Sequence, residues 1–203
     1  PDAFSAARAA EKASGGRISP SRLESYFSCG YMQYFSYILR LRRREEAAPR
    51  STDYGTILHG VLEKFFRVYM ERGVDEQEVR PLAEKFFEEC IAENVAVSAS
   101  ADEPQTARVL VRLKEEAVKV CSALRVEAER SSYKPVYVEQ YIGGEEIPAL
   151  KADIGDGEVE LRGRIDRVDA LDDKIFVVDY KTYKCAKFKL DEIYSGMKIQ
   201  LYL

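Results

Sequence analysis

Residues 163–181 read GRIDRVDALDDKIFVVDYK, and this stretch decides the fold. β-Branched and apolar residues flank an acidic pair at 172–173, which is typical of a tight turn, so the pattern predicts a β-hairpin. With that pair as the two loop residues, Asp166 faces Asp179 across the hairpin, and their Cβ atoms lie about 5 Å apart. Lys181 follows Asp179 by two positions and therefore shares its strand face. The hairpin thus brings two carboxylates and one amine together.

The facing carboxylates of Asp166 and Asp179 repel each other unless a cation neutralises them. A hard divalent cation such as Mg²⁺ takes oxygen ligands from one or two carboxylates, and the ammonium group of Lys181 stabilises negative charge that develops on a substrate. This combination suits hydrolysis of a phosphodiester. An ordinary Asp–Lys salt bridge on a surface hairpin fits the same spacing. Arg164 and Arg167 either contact phosphate or have a simple structural role beside the carboxylates. The residues alone leave these alternatives open.

Helices are predicted before the hairpin. The first begins at the Ser19-Pro20 pair, which is typical of an N-cap followed by proline in the first turn. Its apolar residues recur at helical spacing and predict a buried stripe: Leu23, Phe27, Tyr31, Tyr34, Ile38 and Leu41. Further helices are expected over residues 56–73, after Pro81 and over 106–130, with a loop over 98–105.

Strands surround the hairpin. After Ser131 the pattern changes to short β-branched and aromatic runs separated by Gly, Pro and Asp, which is typical of strands. The predicted strands cover residues 136–142, 149–154, 158–170 and 174–181, and a last helix is expected near Leu190. This order predicts an α/β fold in which a small mixed central sheet is flanked by helices, with an N-terminal helical portion.

The composition bounds the class of protein. The chain has 203 residues, 31 Lys and Arg against 35 Asp and Glu, and a formal net charge of −4, which suits one domain with a sizeable core. It has no apolar run of about 18 residues that would predict a membrane span. It also lacks a secretory signal, so we expect a cytoplasmic protein. Its four cysteines form no CxxC pair, which argues against a zinc ribbon or redox motif.

The two ends of the sequence differ from the rest. Residues 1–17 are rich in Ala and Ser and contain the Ser14–Gly16 stretch, so we expect a linker there. Residues 200–203 are part of an apolar, regular segment without a stop signal. We therefore expect one domain over residues 18–203 that is a fragment truncated at its C-terminus.

Four stretches of the sequence carry a family resemblance. The motifs GRIDRVD and VVDYKT in the hairpin resemble the core of the PD-(D/E)xK nuclease superfamily, and in particular its RecB-like branch. Residues 19–29 resemble the opening helix of that branch, residues 55–63 its histidine helix, and residues 194–202 its closing helix with a glutamine motif. The order and spacing match over roughly residues 18–203. The resemblance implies a restriction-endonuclease-like core.

The resemblance implies roles for the matching residues. His59 matches the metal-contacting histidine, Asp166 and Asp179 match the metal-binding carboxylates, and the backbone carbonyl of Tyr180 completes the metal shell. Lys181 matches the catalytic lysine. The implied cofactor is Mg²⁺, and Mn²⁺ can replace it because neutral imidazole accepts manganese.

Other matching residues have supporting or variable roles. Gln200 matches a glutamine that positions the lysine or the DNA, and Tyr202 stands two residues after it, whereas the branch often places its tyrosine four residues after. Glu139 matches a glutamate upstream of the hairpin, and a structural role is favoured for it over a catalytic one.

Cys29 resembles the first ligand of a 4Fe–4S cluster whose other three cysteines follow the nuclease core in this branch. The remaining cysteines, at 90, 121 and 185, do not stand where the family places those ligands, and we interpret them as small hydrophobic residues. We therefore expect the cluster in a longer parent protein and not in this fragment.

Within the branch, the opening SRLE…C and closing YxGxxxQ patterns favour the B subunits of AddAB-type helicase–nucleases. The likeness implies a metal-dependent DNA exonuclease that acts on single strands fed by a helicase. Its implied partner is an AddA-type subunit, and its role is recombinational repair of DNA double-strand breaks. A CRISPR-associated nuclease of the same branch and a non-catalytic DNA-holding module with this fold remain alternatives.

Overall fold

A computed structural model of the chain describes residues 16–41, 49–153, 157–181, 191, 194 and 195. The chain divides into two compact units, and each is discontinuous in sequence. One unit comprises Glu45–Glu139 and Asp166–Lys184, and the other comprises Pro1–Arg44, Gln140–Ile165 and Cys185–Leu203. In the described residues the helices follow the short first strand and precede the other strands, which form two small three-stranded sheets with it, and this confirms the predicted α/β class.

The elements follow one another in this order. The helices are α1 (Pro20–Ser28), α2 (Gly30–Gln33), a π-helical turn (Tyr34–Ile38), α3 (Ser51–Arg72), α4 (Glu76–Glu93), α5 (Val95–Ala99) and α6 (Pro104–Arg130). The strands are β1 (Arg17–Ile18), β2 (Lys134–Ile142), β3 (Leu150–Asp153), β4 (Glu158–Leu161), β5 (Gly163–Leu171) and β6 (Lys174–Val178). One sheet has the mixed order β1-β4-β3, and the other has the order β2-β5-β6.

Helices α3, α4 and α6 contribute most of the main hydrophobic core. Apolar residues on α3 recur every three or four positions, so one side of this long helix is buried. The fully or almost fully buried side chains of this core include Ile57, Val61, Phe65, Phe66, Phe87 and Cys121. Burying one such Phe or Ile contributes roughly 1.5–3 kcal/mol relative to leaving it exposed. This packing fixes α3, the helix that carries His59.

Gly60 sets how closely α3 approaches α4. A Cβ atom at position 60 would lie 2.9 Å from Sγ of Cys90, which is closer than real contacts allow. Any larger residue would therefore require the Cys90 side chain or one of the helices to shift. The close approach occurs one residue after His59.

The opening helical stretch differs from the prediction. Ser19 caps α1 as expected, since its Oγ accepts from the amide of Arg22 at 3.3 Å. However, α1 ends at Ser28, and the backbone of Cys29 is extended. The π-helical turn then changes the spacing again. The predicted stripe is consequently not buried: Tyr31 is 79% exposed, Leu41 60% and Phe27 48%.

Several predicted boundaries are wrong for local reasons. Pro81 lies inside α4, because Asp75 and Glu78 form a capping box that begins this helix earlier. Asn94 caps α5, whose last two residues fall in the loop predicted over 98–105. The strand predicted over 158–170 is split at Arg162 into β4 and β5, which belong to different sheets. The structure describes no helix that is both long and apolar enough for a membrane span.

Two other predictions fall mainly on residues that the structure does not describe. Of the linker predicted over 1–17, residues 1–15 lie outside the described part, and Arg17 pairs with Glu160 in β1 and β4. Of the helix expected near Leu190, the structure describes Asp191 and Tyr194, which are helical, and the amide of Ser195, which donates to the carbonyl of Asp191 at 3.0 Å.

Candidate functional site

The hairpin of β5 and β6 has the expected antiparallel register. Arg167 pairs with Val178 at its open end, and the pairing continues to the turn at 172–173, where Asp172 has a left-handed backbone (φ 52°). The strand ladder stops before it reaches Asp166. There the amide of Tyr180 donates to Oδ2 of Asp166 at 2.6 Å. The open end of the hairpin therefore holds this carboxylate with a backbone amide.

Three elements bring one histidine and two acids together. His59 of α3 has its Nδ1 3.6 Å from Oε1 of Glu139 on β2 and 3.6 Å from Oδ2 of Asp166 on β5. One potential ligand atom from each side chain lies within 4.8 Å of the other two. The side chains are mostly buried: 29% of His59, 8% of Glu139 and 11% of Asp166 is exposed. We call these three residues the acidic cluster.

The two acids control the protonation of the histidine. Hydrogen bonds from His59 to Asp166 and Glu139 raise the pKa of the imidazole to about 10, although burial acts in the opposite direction. Burial alone would raise the pKa of Asp166, but His59, the amide of Tyr180 and the charge of Lys181 together lower it. The two carboxylates therefore stabilise the charged imidazolium, and a metal ion that binds through His59 would have to displace its proton.

The donor atoms of the acidic cluster fit a divalent metal ion. One imidazole nitrogen and two carboxylate oxygens suit Mn²⁺, and oxygen-rich sites also suit Mg²⁺. Among the residues that the structure describes, these three side chains form the group that could hold such an ion. Glu139, a member of this group, has an unusual left-handed backbone conformation, since its φ of 51° is rare for a residue other than glycine.

Asp179 and Lys181 form a second group beside the acidic cluster. Nζ of Lys181 lies 2.7 Å from Oδ2 of Asp179 and 2.9 Å from its Oδ1. Asp179 does not belong to the group of atoms that lie within 4.8 Å of one another, and its carboxylate contacts the ammonium instead. The Asp–Lys salt bridge, which the sequence leaves open as an alternative for this spacing, is thus present next to the residues that could hold a metal.

A cleft of about 320 Å³ is lined by one residue of each group, His59 and Lys181. His59, Tyr180 and Lys181 line one part of it. The remaining lining comes from α3 and α6, namely Leu58, Val61, Leu62, Glu116, Ala117, Lys119 and Val120. The cleft therefore combines apolar walls with charged groups, as ligand sites commonly do.

The remaining predicted site residues and the cysteines differ in whether the structure describes them and in how far they are buried. Gln200 and Tyr202 lie outside the described residues, as does Cys185. Cys29 is a half-buried free thiol. Cys90 and Cys121 are buried, and burial raises the pKa of their thiols to about 11 and about 12, which fits their interpretation as small hydrophobic residues.

The structure bears on two residues whose roles the sequence leaves open. Glu139, for which a structural role is favoured, lies within the acidic cluster. The side chain of Arg167 is fully buried, which favours the structural alternative over contact with phosphate. The alternation of side chains along a strand indicates this burial, because Arg167 directly follows Asp166 and points to the opposite face of β5. That face packs on Phe66 of α3.

Comparisons with known proteins agree with this geometry. The family model of the PD-(D/E)XK nuclease superfamily matches residues 17–203. The B subunit of the ATP-dependent helicase/deoxyribonuclease of Clostridium acetobutylicum is 29% identical over 197 residues, which cover 92% of this chain and 17% of the relative. The B subunits of the same name from Acetivibrio thermocellus and Exiguobacterium sibiricum are 30% and 32% identical, and the matches cover 90% and 92% of this chain. The chain spans 17% of each relative. By the match along its length, the chain belongs to the PD-(D/E)XK nuclease superfamily.

Proposed function

We propose that the chain is the metal-dependent deoxyribonuclease domain of a helicase–nuclease. The observation that carries the proposal is the acidic cluster of His59, Glu139 and Asp166 beside the Asp179–Lys181 pair. A divalent ion would supply positive charge and polarise a scissile phosphate. Membership of the PD-(D/E)XK nuclease superfamily supports this reaction class.

Each site residue has its own role in this proposal. His59, Glu139 and Asp166 hold the ion, and Asp179 and the carbonyl of Tyr180 are the further ligands expected from the family. The ammonium of Lys181 stabilises negative charge on the phosphate and orients the attacking water. Gln200 and Tyr202 keep their expected supporting roles.

We infer the substrate and the partners from the names of the relatives. Their name describes an ATP-dependent helicase/deoxyribonuclease, so we propose single-stranded DNA delivered by a helicase as the substrate. The cleft with Lys119 and Lys181 on its lining is the place where the strand approaches the site. In this proposal an AddA-type subunit is the partner, the parent protein carries the 4Fe–4S cluster at Cys29, and the complex acts as an exonuclease in recombinational repair in the cytoplasm. The relatives' names favour this role over that of a CRISPR-associated nuclease.

A cleavage assay tests the proposal. The protein is incubated with labelled single-stranded DNA and Mg²⁺, and we expect cleavage that a chelator abolishes. Asp179→Ala and Lys181→Ala should each lower kcat by at least about 10²-fold, because each removes a charge placed at the phosphate. Lys174→Ala, at the exposed turn end of the same hairpin, is the matched control and should cleave normally.

The direct salt bridge between Asp179 and Lys181 also favours a second candidate, a non-catalytic module that holds DNA. Such a module would bind the labelled strand in a filter assay and leave it intact with either Mg²⁺ or Mn²⁺. That result, or equal cleavage by wild type and both alanine variants, would contradict the nuclease proposal.

A further inference from the structure

Arg167, which directly follows Asp166 of the acidic cluster, is a buried cation. The side chain of Arg167 has no exposed surface, although guanidinium groups are strongly hydrated in water. Its Nη2 donates to Oδ2 of Asp169 at 3.0 Å, and its guanidinium carbon stands 4.7 Å from the ring centroid of Phe66. Glu127 contributes a longer ion contact of 3.5 Å to Nη2. These acids and the aromatic face compensate the charge of Arg167.

Arg167 has one further contact that charge compensation does not require. Its Nη1 donates to the hydroxyl of Tyr180 at 3.0 Å. Tyr180 is itself half-buried, and burial raises the pKa of its hydroxyl, which therefore remains protonated and neutral. The planar guanidinium thus holds Asp169 with one nitrogen and the tyrosine ring with another.

Tyr180 connects this buried cation to two residues of the acidic cluster. Its backbone amide donates to Asp166 at 2.6 Å, and its ring stands edge-on to the imidazole of His59 at 6.1 Å between centroids. The ring, the amide and the carbonyl belong to one residue at the end of β6, where no strand ladder holds the chain. A fixed hydroxyl therefore restricts the direction of the amide as well.

We propose that Arg167 is a positioning residue, which holds Tyr180 so that its backbone and ring keep Asp166 and His59 in the geometry that binds a metal ion. The inference rests on the proposed function, since it concerns the same metal site. Groups that orient metal ligands commonly change metal affinity by 10–100-fold when they are removed. Arg167 acts from the buried side and touches neither metal nor DNA.

Metal affinity tests the proposal in two variants. Tyr180→Phe removes only the hydroxyl that accepts from Arg167, and Arg167→Lys keeps a positive charge near Asp169 but loses the planar fork. We expect each to bind Mn²⁺ about tenfold more weakly in isothermal titration calorimetry. Their kcat should fall at an unchanged KM for DNA. Tyr137→Phe and Arg108→Lys, which alter exposed side chains on β2 and α6, are matched controls.

The outcomes separate this inference from the proposed function. A purely structural role of Arg167 would lower the melting temperature of the variants and leave their Mn²⁺ affinity unchanged, which would overturn the inference. If Arg167→Lys does not fold, Tyr180→Phe alone decides, because it retains the aromatic ring. A wild-type protein that binds Mn²⁺ but cleaves no DNA would refute the nuclease proposal and leave the affinity comparison valid.

Discussion

Glu139 has the most unusual backbone among the residues of the acidic cluster. A left-handed φ of 51° within β2 costs a residue with a Cβ roughly 1–2 kcal/mol. The same conformation accompanies the approach of its carboxylate to His59 at 3.6 Å. Strained backbone of this kind commonly persists where the surroundings determine it and where function uses it. This conformation therefore distinguishes Glu139 from the ordinary residues of a strand and places its carboxylate in the acidic cluster.

Replacement of Glu139 by glutamine tests this assignment. Glu139→Gln keeps the shape of the side chain and removes one of the two negative charges beside His59, so the site loses attraction for a cation. We expect Mn²⁺ affinity to fall at least about tenfold in a calorimetric titration. Glu145→Gln, at an exposed position, should bind Mn²⁺ like wild type. Equal affinities of the two variants would show that Glu139 has no part in binding the ion.

The sequence predicts part of this site. Asp166 and the Asp179–Lys181 pair follow from the two-residue turn, since the register of a short hairpin depends on local residues, whereas His59 follows only from the family resemblance. The role of Glu139 could not be predicted in that way, because it depends on one backbone angle far from the hairpin in sequence. The burial of Arg167 depends on Phe66, about a hundred residues earlier.

Among the elements, α3 shows how local chemistry sets the start of a helix. The sequence predicts its beginning near Thr56, but the helix begins at Ser51. Asp53 explains the difference, because its Oδ2 accepts the amide of Arg50 at 2.7 Å. Apolar periodicity identifies the buried length of α3 but contains no information on a polar first turn. The same limit explains why the broken helix at Cys29 was not predicted.

Loss of the acceptor at the start of α3 should destabilise the protein. Asp53→Ala leaves the amide of Arg50 without its side-chain acceptor, and we expect the free energy of unfolding to fall by about 1 kcal/mol. Asp53→Asn retains an acceptor oxygen and should lose only part of this stability. Urea unfolding monitored by circular dichroism measures both values. A loss as large for Asn as for Ala would mean that the negative charge near the helix N-terminus, and not the hydrogen bond, is the stabilising feature.

Across the whole molecule, the acidic cluster connects segments that are distant in sequence. Its members come from α3, β2 and β5, and all three belong to the unit that comprises Glu45–Glu139 and Asp166–Lys184. An ion bound to them would therefore hold a helix and two strands together only in the folded state. Ligands that bind the folded state alone stabilise it in proportion to the logarithm of their concentration.

This linkage predicts a thermal shift. Mn²⁺ at about 100 times its Kd should stabilise the protein by about 2.7 kcal/mol, which for a chain of this size corresponds to a rise in Tm of roughly 5–10 °C. Asp166→Asn removes a charge of the cluster and should show little or no shift at the same concentration. Differential scanning fluorimetry gives both values. A similar rise in the Asn variant would indicate that the ion binds elsewhere.

The close approach of α3 to α4 at Gly60 has a consequence for residues that touch no ligand. A Cβ atom at position 60 would stand 2.9 Å from Sγ of Cys90, so Cys90 or one of the helices would have to shift. His59 directly precedes Gly60, and its imidazole stands 3.6 Å from each of the two acids. A shift of α3 at this helix seam would therefore be transmitted to the imidazole.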